Sequence, residues 1–254
     1  NPYAGSGGGG AGIGGAIFIA DTATLTLEDN ITLSGNTVQE GAGGTGSTTP
    51  GTNGQGYAND IFLFQHARLI FNGIGNLNAN FNIQSDQNAP ASFIDLGVIK
   101  HNNYIGGTQI NSGILRVSTD ANLGNTAGGV IFNGGTLEAI NTFSSNRTIL
   151  LTGPGTINVD PTFTLTLSGI VSGGGSLTKS NEGTLILTGA NTYTGGTTVS
   201  AGVLQGNTAG LQGSILDNAT VVFDQATTGT YNGILSGSGN LIKQGAGALI
   251  LTGA

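Results

Sequence analysis

The sequence predicts an all-β chain wound as a right-handed parallel β-helix, a solenoid whose short strands stack in register. Three observations carry this expectation. Glycine supplies 48 of the 254 residues, about one in five against a usual ~7%. Short runs alternate polar and aliphatic residues, as in Thr162-Phe163-Thr164-Leu165-Thr166-Leu167, while no stretch keeps the 3.6-residue apolar period of a helix. Long motifs also recur at unequal spacing, the mark of units that bury their apolar faces only by stacking. A β-sandwich or antiparallel barrel is the alternative, but neither explains such recurrence.

The elements follow in chain order. The glycine-rich opening, residues 5–15, is a flexible end or a first rung beneath the strand Ala16-Ile17-Phe18-Ile19. Ala23-Thr24-Leu25-Thr26-Leu27 alternates small or polar residues with Leu, the pattern of a strand with one buried face. Residues 41–56 hold no large apolar side chain and are expected to leave the rod as a lateral loop. Gly129-Val130-Ile131-Phe132 and Val221-Val222-Phe223 are β-branched and aromatic, bounded by Gly or Asn, which supply the positive φ of tight corners. At roughly 20–25 residues per rung, the chain makes about ten to twelve rungs. With ~4.8 Å between rungs, the rod is about 50 Å long.

The repeats are long and ordered. Gly169-Ile-Val-Ser-Gly-Gly-Gly-Ser-Leu-Thr-Lys179 recurs as Gly233-Ile-Leu-Ser-Gly-Ser-Gly-Asn-Leu-Ile-Lys243, and Gly183-Thr-Leu-Ile-Leu-Thr-Gly-Ala190 as Gly247-Ala-Leu-Ile-Leu-Thr-Gly-Ala254. An offset pair joins Tyr193-Thr-Gly-Gly-Thr197 to Tyr104-Ile-Gly-Gly-Thr108. Inward positions are assigned to Leu165, Leu167, Leu185, Leu187, Leu249 and Leu251. Between them Ile186 and Ile250, with Leu150, point outward and are expected to form an aliphatic stripe for a neighbour or covering loop.

Residues 167–205 resemble the passenger-associated repeat of autotransporters, the β-helical passengers of type V secretion in Gram-negative bacteria. Residues 231–254 are similar to its first half and 103–115 to its second. A shorter similarity joins Gly14-Gly15-Ala16-Ile17 and Leu33-Ser34-Gly35-Asn36-Thr37 to the paired motifs of chlamydial polymorphic membrane proteins, with Leu33 where that family prefers Phe. The resemblance implies a single β-helical passenger over 1–254, displayed outside the cell on the outer membrane, whose repeats assist secretion and folding. Such rods carry adhesins, toxins, proteases and stalks alike.

Composition excludes several functions. Six Lys plus Arg against 13 Asp plus Glu give a net charge of −7, which argues against nucleic acid and anionic membranes, both of which need clustered cations. No apolar run approaches the ~20 residues of a membrane-spanning helix. The absence of Cys is compatible with export of an unfolded chain.

Candidate carboxylates are Asp21, Glu28, Asp29, Glu40, Asp60 and Asp95, read as solvated turn residues beside Asn, Thr and Gly at corners rather than as a functional acid pair. Asp160 and Asp224 share one repeat position, which favours turn geometry. His66, near Arg68, and His101, after Lys100, are the only histidines, too few for a zinc site. Residues 5–15 match a dinucleotide-binding glycine pattern through composition only, without strand and helix around it. Lys179 and Lys243 read as corner residues capping carbonyls or solvating the rod.

These readings give an extracellular structural rod for adhesion, stalk or self-assembly, with no catalytic residue, metal or cofactor. A polysaccharide-processing enzyme on the same fold, and a binding module using 41–56, are the alternatives. The expected partners are a host or cell-surface ligand and further copies of the chain, side by side or head to tail. Ala254 falls inside a repeat with no capping element in 246–254, so the expectation is that either more protein continues the rod or copies stack head to tail.

Overall fold

The computed structural model describes residues 107–110 and 113–253 throughout, and before them strand segments between Gly12 and Asn102. Their strands pair parallel, rung upon rung. The longest sheet stacks ten strands: Thr24–Leu27, Arg68–Phe71, Phe93–Asp95, Ile114–Val117, Thr136–Ala139, Gly155–Val159, Leu177–Ser180, Thr197–Val199, Ile215–Asp217 and Leu235–Ser236. A second sheet of six runs from Phe143–Ser145 to Asn240–Gln244, and a third of four from Thr108–Ile110 to Val171–Gly173. Each rung therefore turns through three faces. Helical structure among the described residues is a single 3-10 turn, Asp120–Leu123.

The alternation in the sequence becomes the inside and outside of the rod. In Thr184–Leu187, Leu185 and Leu187 are fully buried while Thr184 and Ile186 are half-buried. Leu165, Leu185, Leu204 and Val221 stack in register down the second sheet, each with no exposed surface. Burying such a side chain contributes about 1.5–3 kcal/mol, so the column is a main source of stability. Leu167 and Leu187 stack beside it.

From Phe93 onward the rungs are short and their length varies little. Thr197 pairs with Ile215, and Gly155 with Leu177, steps at the short end for solenoid repeats, about 20 residues each. Near the start the step is twice as long, from Ile17 to Ile61 and from Thr24 to Arg68. Residues 41–55 lie outside the described residues; Gly56 opens the strand Gly56–Tyr57, itself paired with Gly12–Ile13.

Glycine marks where one rung's backbone lies directly on the next. A Cβ at Gly175 would sit 2.0 Å from the carbonyl oxygen of Gly153, and one at Gly195 2.4 Å from that of Gly175. Further along, a Cβ at Gly233 would sit 1.9 Å from Gly213 O, and one at Gly253 2.0 Å from Gly233 O. No side chain fits in such a gap.

One expectation needs correction. Leu249 is half-buried and Leu251 is 47% exposed, because they lie in the last described strand, Leu249–Leu251, with Gly229 and Tyr231 on one side and no described strand on the other. The repeated motifs fall on different faces. Leu177 and Lys179 belong to the longest sheet, whereas their counterparts Leu241 and Lys243 belong to the second. From Leu177 the ladder climbs through Thr197 and Ile215 to Leu235 before the chain turns onto the face that holds Leu241.

Two measurements check this packing. Gly175→Ala should lower the melting temperature sharply, because the clash is with backbone, whereas Gly174→Ala, with open space around its Cβ, should melt like the parent. Leu187→Asp, which places a carboxylate between Leu167 and Gly206, should cost roughly 4 kcal/mol in denaturant unfolding; parent-like unfolding would refute the inward assignment.

Candidate functional site

In its copy at 193–197 the recurring Tyr-x-Gly-Gly-Thr motif is an interior lock. Tyr193 and Thr197 are buried, and their hydroxyls lie 2.7 Å apart. The two glycines between them let the chain turn the corner, Gly196 with φ +78°. Burial raises the Tyr193 phenol above its usual range, opposed by its hydrogen bonds to Thr197 and the Gln212 backbone. Tyr231, bonded to the carbonyl of Gly213, is raised too, by burial first and by Tyr193 second.

Lys179 caps carbonyls, but from inside the rod. It stacks between Ile157 and Val199 in an inward register and has no exposed surface. Its Nζ donates to Ser180 O at 2.8 Å, Asn181 O at 2.6 Å and Ala201 O on the following rung at 3.2 Å. Asn181 has φ 63°, which turns its carbonyl toward the ammonium. Lys243 repeats one of these bonds, to Gly245 O at 2.7 Å, in register with the buried Phe223 but exposed like the rest of its strand. Burial pushes Lys179 down to about 8, with Glu182 opposing.

Two identical turns escaped the sequence reading, although recurrence of Gly-Asn-Thr-Ala-Gly at 124–128 and 206–210 was the available signal. In each, the Asn side-chain oxygen accepts from the Ala amide, at 2.9 Å for Asn125 and Asn207 alike. A buried side chain from the next rung holds each turn. Arg147 donates to the carbonyls of Asn125, Gly128 and Gly124, and pairs with Asp120 at 2.8 Å. Gln225 accepts from the Thr208 amide and donates to its hydroxyl.

The described carboxylates do structural work. Glu138 takes Arg116 Nε at 2.7 Å and Asn158 Nδ2 at 3.3 Å. Asp160 accepts from Asn181 Nδ2, Asp217 from the Ala219 amide, and Asp224 from Gln205 Nε2. Despite their common repeat position, Asp160 follows a strand of the longest sheet and Asp224 ends one of the second. Among the described residues no three His, Cys, Asp or Glu converge as a metal site. Asp95 lies in register with Arg116, and His101 with Asn76. Asp21, Glu28, Asp29, Glu40, Asp60 and His66 lie outside the described residues.

The expected aliphatic stripe does not form. Leu150 is in the third sheet, Ile186 in the second, and Ile250 in a separate pair of strands, Gly229–Tyr231 with Leu249–Leu251. Ile186 lies on another face than Leu150 and Ile250, and Ser172 and Thr230 take the outward positions next to Leu150 and Ile250.

The longest sheet presents a different exterior. Thr136, Thr156, Thr178 and Thr198 lie in one outward register on four successive rungs. Beside them run Arg116, Glu138, Asn158 and Ser180.

A family model for the passenger-associated-transport-repeat matches residues 101–117, 177–205 and 241–254. The second of these segments holds Lys179 and the Tyr193–Thr197 lock, and the third holds Lys243. The chain is also 46% identical, over 146 residues, to the adhesin BmaC autotransporter of Brucella suis biovar 1 (strain 1330). The chain carries passenger-associated-transport repeats and is similar to an autotransporter. The match covers 56% of this chain and 4% of the relative, so the chain spans a small part of that protein's length. No solved structure matches significantly. That similarity to an autotransporter implies secretion to the bacterial cell surface.

The lysine gives a pH test. Its folded value near 8 lies below the ordinary 10.5, so between about pH 8 and 10.5 the unfolded chain binds the extra proton, and stability from this group rises with pH. Relative to Lys179→Met, the parent should gain melting temperature across that window; a pH-independent difference would refute a buried, titrating ammonium.

Proposed function

We propose that this passenger segment is a non-enzymatic adhesive rod, in which the repeated motifs build the stack and the surface between them meets a ligand on another cell or matrix. The observation that carries the reading is the change of face. Copies of one motif at 177–187 and 241–251 put their outward residues on different sides, so repetition serves stacking and not a row of identical ligand contacts. The similar Brucella protein bears the name adhesin, which supports a surface ligand. The carboxylates of the described rungs sit in hydrogen bonds of turns and ladders, which supports a structural role for them.

Display of the chain on a non-adherent bacterium, through an unrelated surface anchor, tests the proposal. Retention on host-cell or matrix-coated surfaces should rise several-fold over the anchor. Retention equal to the anchor, or degradation of polysaccharide or peptide by the purified chain, would overturn it.

A further inference from the structure

We propose that the outer face of the ten-stranded sheet binds a neutral glycan lying along the rod axis, with Thr136, Thr156, Thr178 and Thr198 as its hydrogen-bonding row. This rests on the adhesive reading and names its ligand class.

The first support is where the cations go. Between residues 107 and 253 the Lys and Arg residues are Arg116, Arg147, Lys179 and Lys243. Arg147 and Lys179 are buried on carbonyls and Asp120, Arg116 is paired with Glu138, and Lys243 is bonded to Gly245 O. A sialylated or sulfated glycan, nucleic acid or anionic lipid needs uncommitted, clustered cations, and these rungs offer no such cluster. The complementary ligand is uncharged.

The second support is the state of the hydroxyls. Threonines elsewhere commonly tie their hydroxyls to the chain: Thr152 to Phe132 O, Thr188 to Leu167 O, Thr252 to Asn232. The hydroxyls of Thr136, Thr156, Thr178 and Thr198 form no hydrogen bond with a described residue, and these residues are half-buried in a flat outward register. Rungs are ~4.8 Å apart, so the four hydroxyls span about 14 Å. That step is comparable to one ring unit of an extended pyranose chain, whose hydroxyls both donate and accept. The row is bounded by Ile114 before Thr136 and Leu216 after Thr198, whereas outward positions of the second sheet are broken within the same span by Ile186, Val203 and Val222.

A third observation falls on the same face. Asn158 Oδ1, two residues along the strand from Thr156, is a buried acceptor with no hydrogen-bond partner. Such an oxygen is unusual in a folded protein, and a small outward rotation of the amide would offer it to a ligand hydroxyl. The described aromatic side chains are buried or half-buried, so no ring platform adds affinity. Each contact is weak, and affinity grows with the number of rungs engaged.

Gel retardation of the full 254-residue chain by soluble hydroxyethylcellulose and by galactomannan, with heparin in parallel, tests the assignment. We expect retardation by at least one neutral polymer, unchanged between low and high salt, and weakened about tenfold or more by the near-isosteric double variant Thr156→Val/Thr178→Val with unchanged melting. The control Thr166→Val, on the second sheet, should bind like the parent. No retardation by either neutral polymer, retardation by heparin that salt abolishes, or parent-like binding by the double variant would overturn the proposal. If surface-displayed parent and double variant adhere equally, the adhesive reading stands and the glycan row falls. If neither adheres above the anchor, the adhesive reading itself fails.

Discussion

The structure depends on how closely one rung's backbone can lie on the next. At the corners a carbonyl oxygen stands about where the next rung's Cβ would be, as at Gly153 and Gly175 or Gly213 and Gly233. Only glycine permits that approach, and the approach sets the strand spacing on all three faces. Register then follows, because three short strands joined by tight corners leave little room to slip. Once register holds, alternation places every second aliphatic residue over its counterpart. The glycine content and the aliphatic columns are two sides of one geometric condition.

The polar interior follows from the same condition. Tight corners leave carbonyls pointing inward or along the axis, without strand partners, and a buried carbonyl needs a donor. Lys179, Arg147, Gln225 and Asn191 supply donors from within the stack, and each bridges a rung to its neighbour. Each costs desolvation and returns several hydrogen bonds to otherwise unmatched groups. A solenoid with tight corners therefore uses long polar side chains where a globular core would use more leucine.

The fold was legible in the sequence because two periods coincide there, the two-residue alternation within strands and the motif recurrence between rungs. Leu165, Leu167, Leu185 and Leu187 sit inside as the alternation requires. The assignment of faces was not legible. The offset between the copies that begin at Leu177 and Leu241 is not a whole number of turns, so Ile186 and Ile250 part company although their flanking residues match. Lys179 was read as a corner residue that caps carbonyls or solvates the rod; it caps them, and its inward direction was hidden because lysine at a corner normally faces water. The outward threonine row was hidden for the opposite reason: its members look like ordinary strand threonines, and only the stacking shows that four of them align.

The short step between paired residues has a mechanical consequence. Strand partners such as Thr197 and Ile215 are one short rung apart along the chain, and the chain has no cysteine to cross-link distant ones. A pulling force on one end is therefore borne by a single rung at a time. Peeling that rung frees about 20 residues, on the order of 65 Å of extended backbone, and leaves the next corner intact to take the load. A cell tethered by such a rod in flowing liquid would be held by a ratchet of small, separate yields instead of one bond that either holds or breaks.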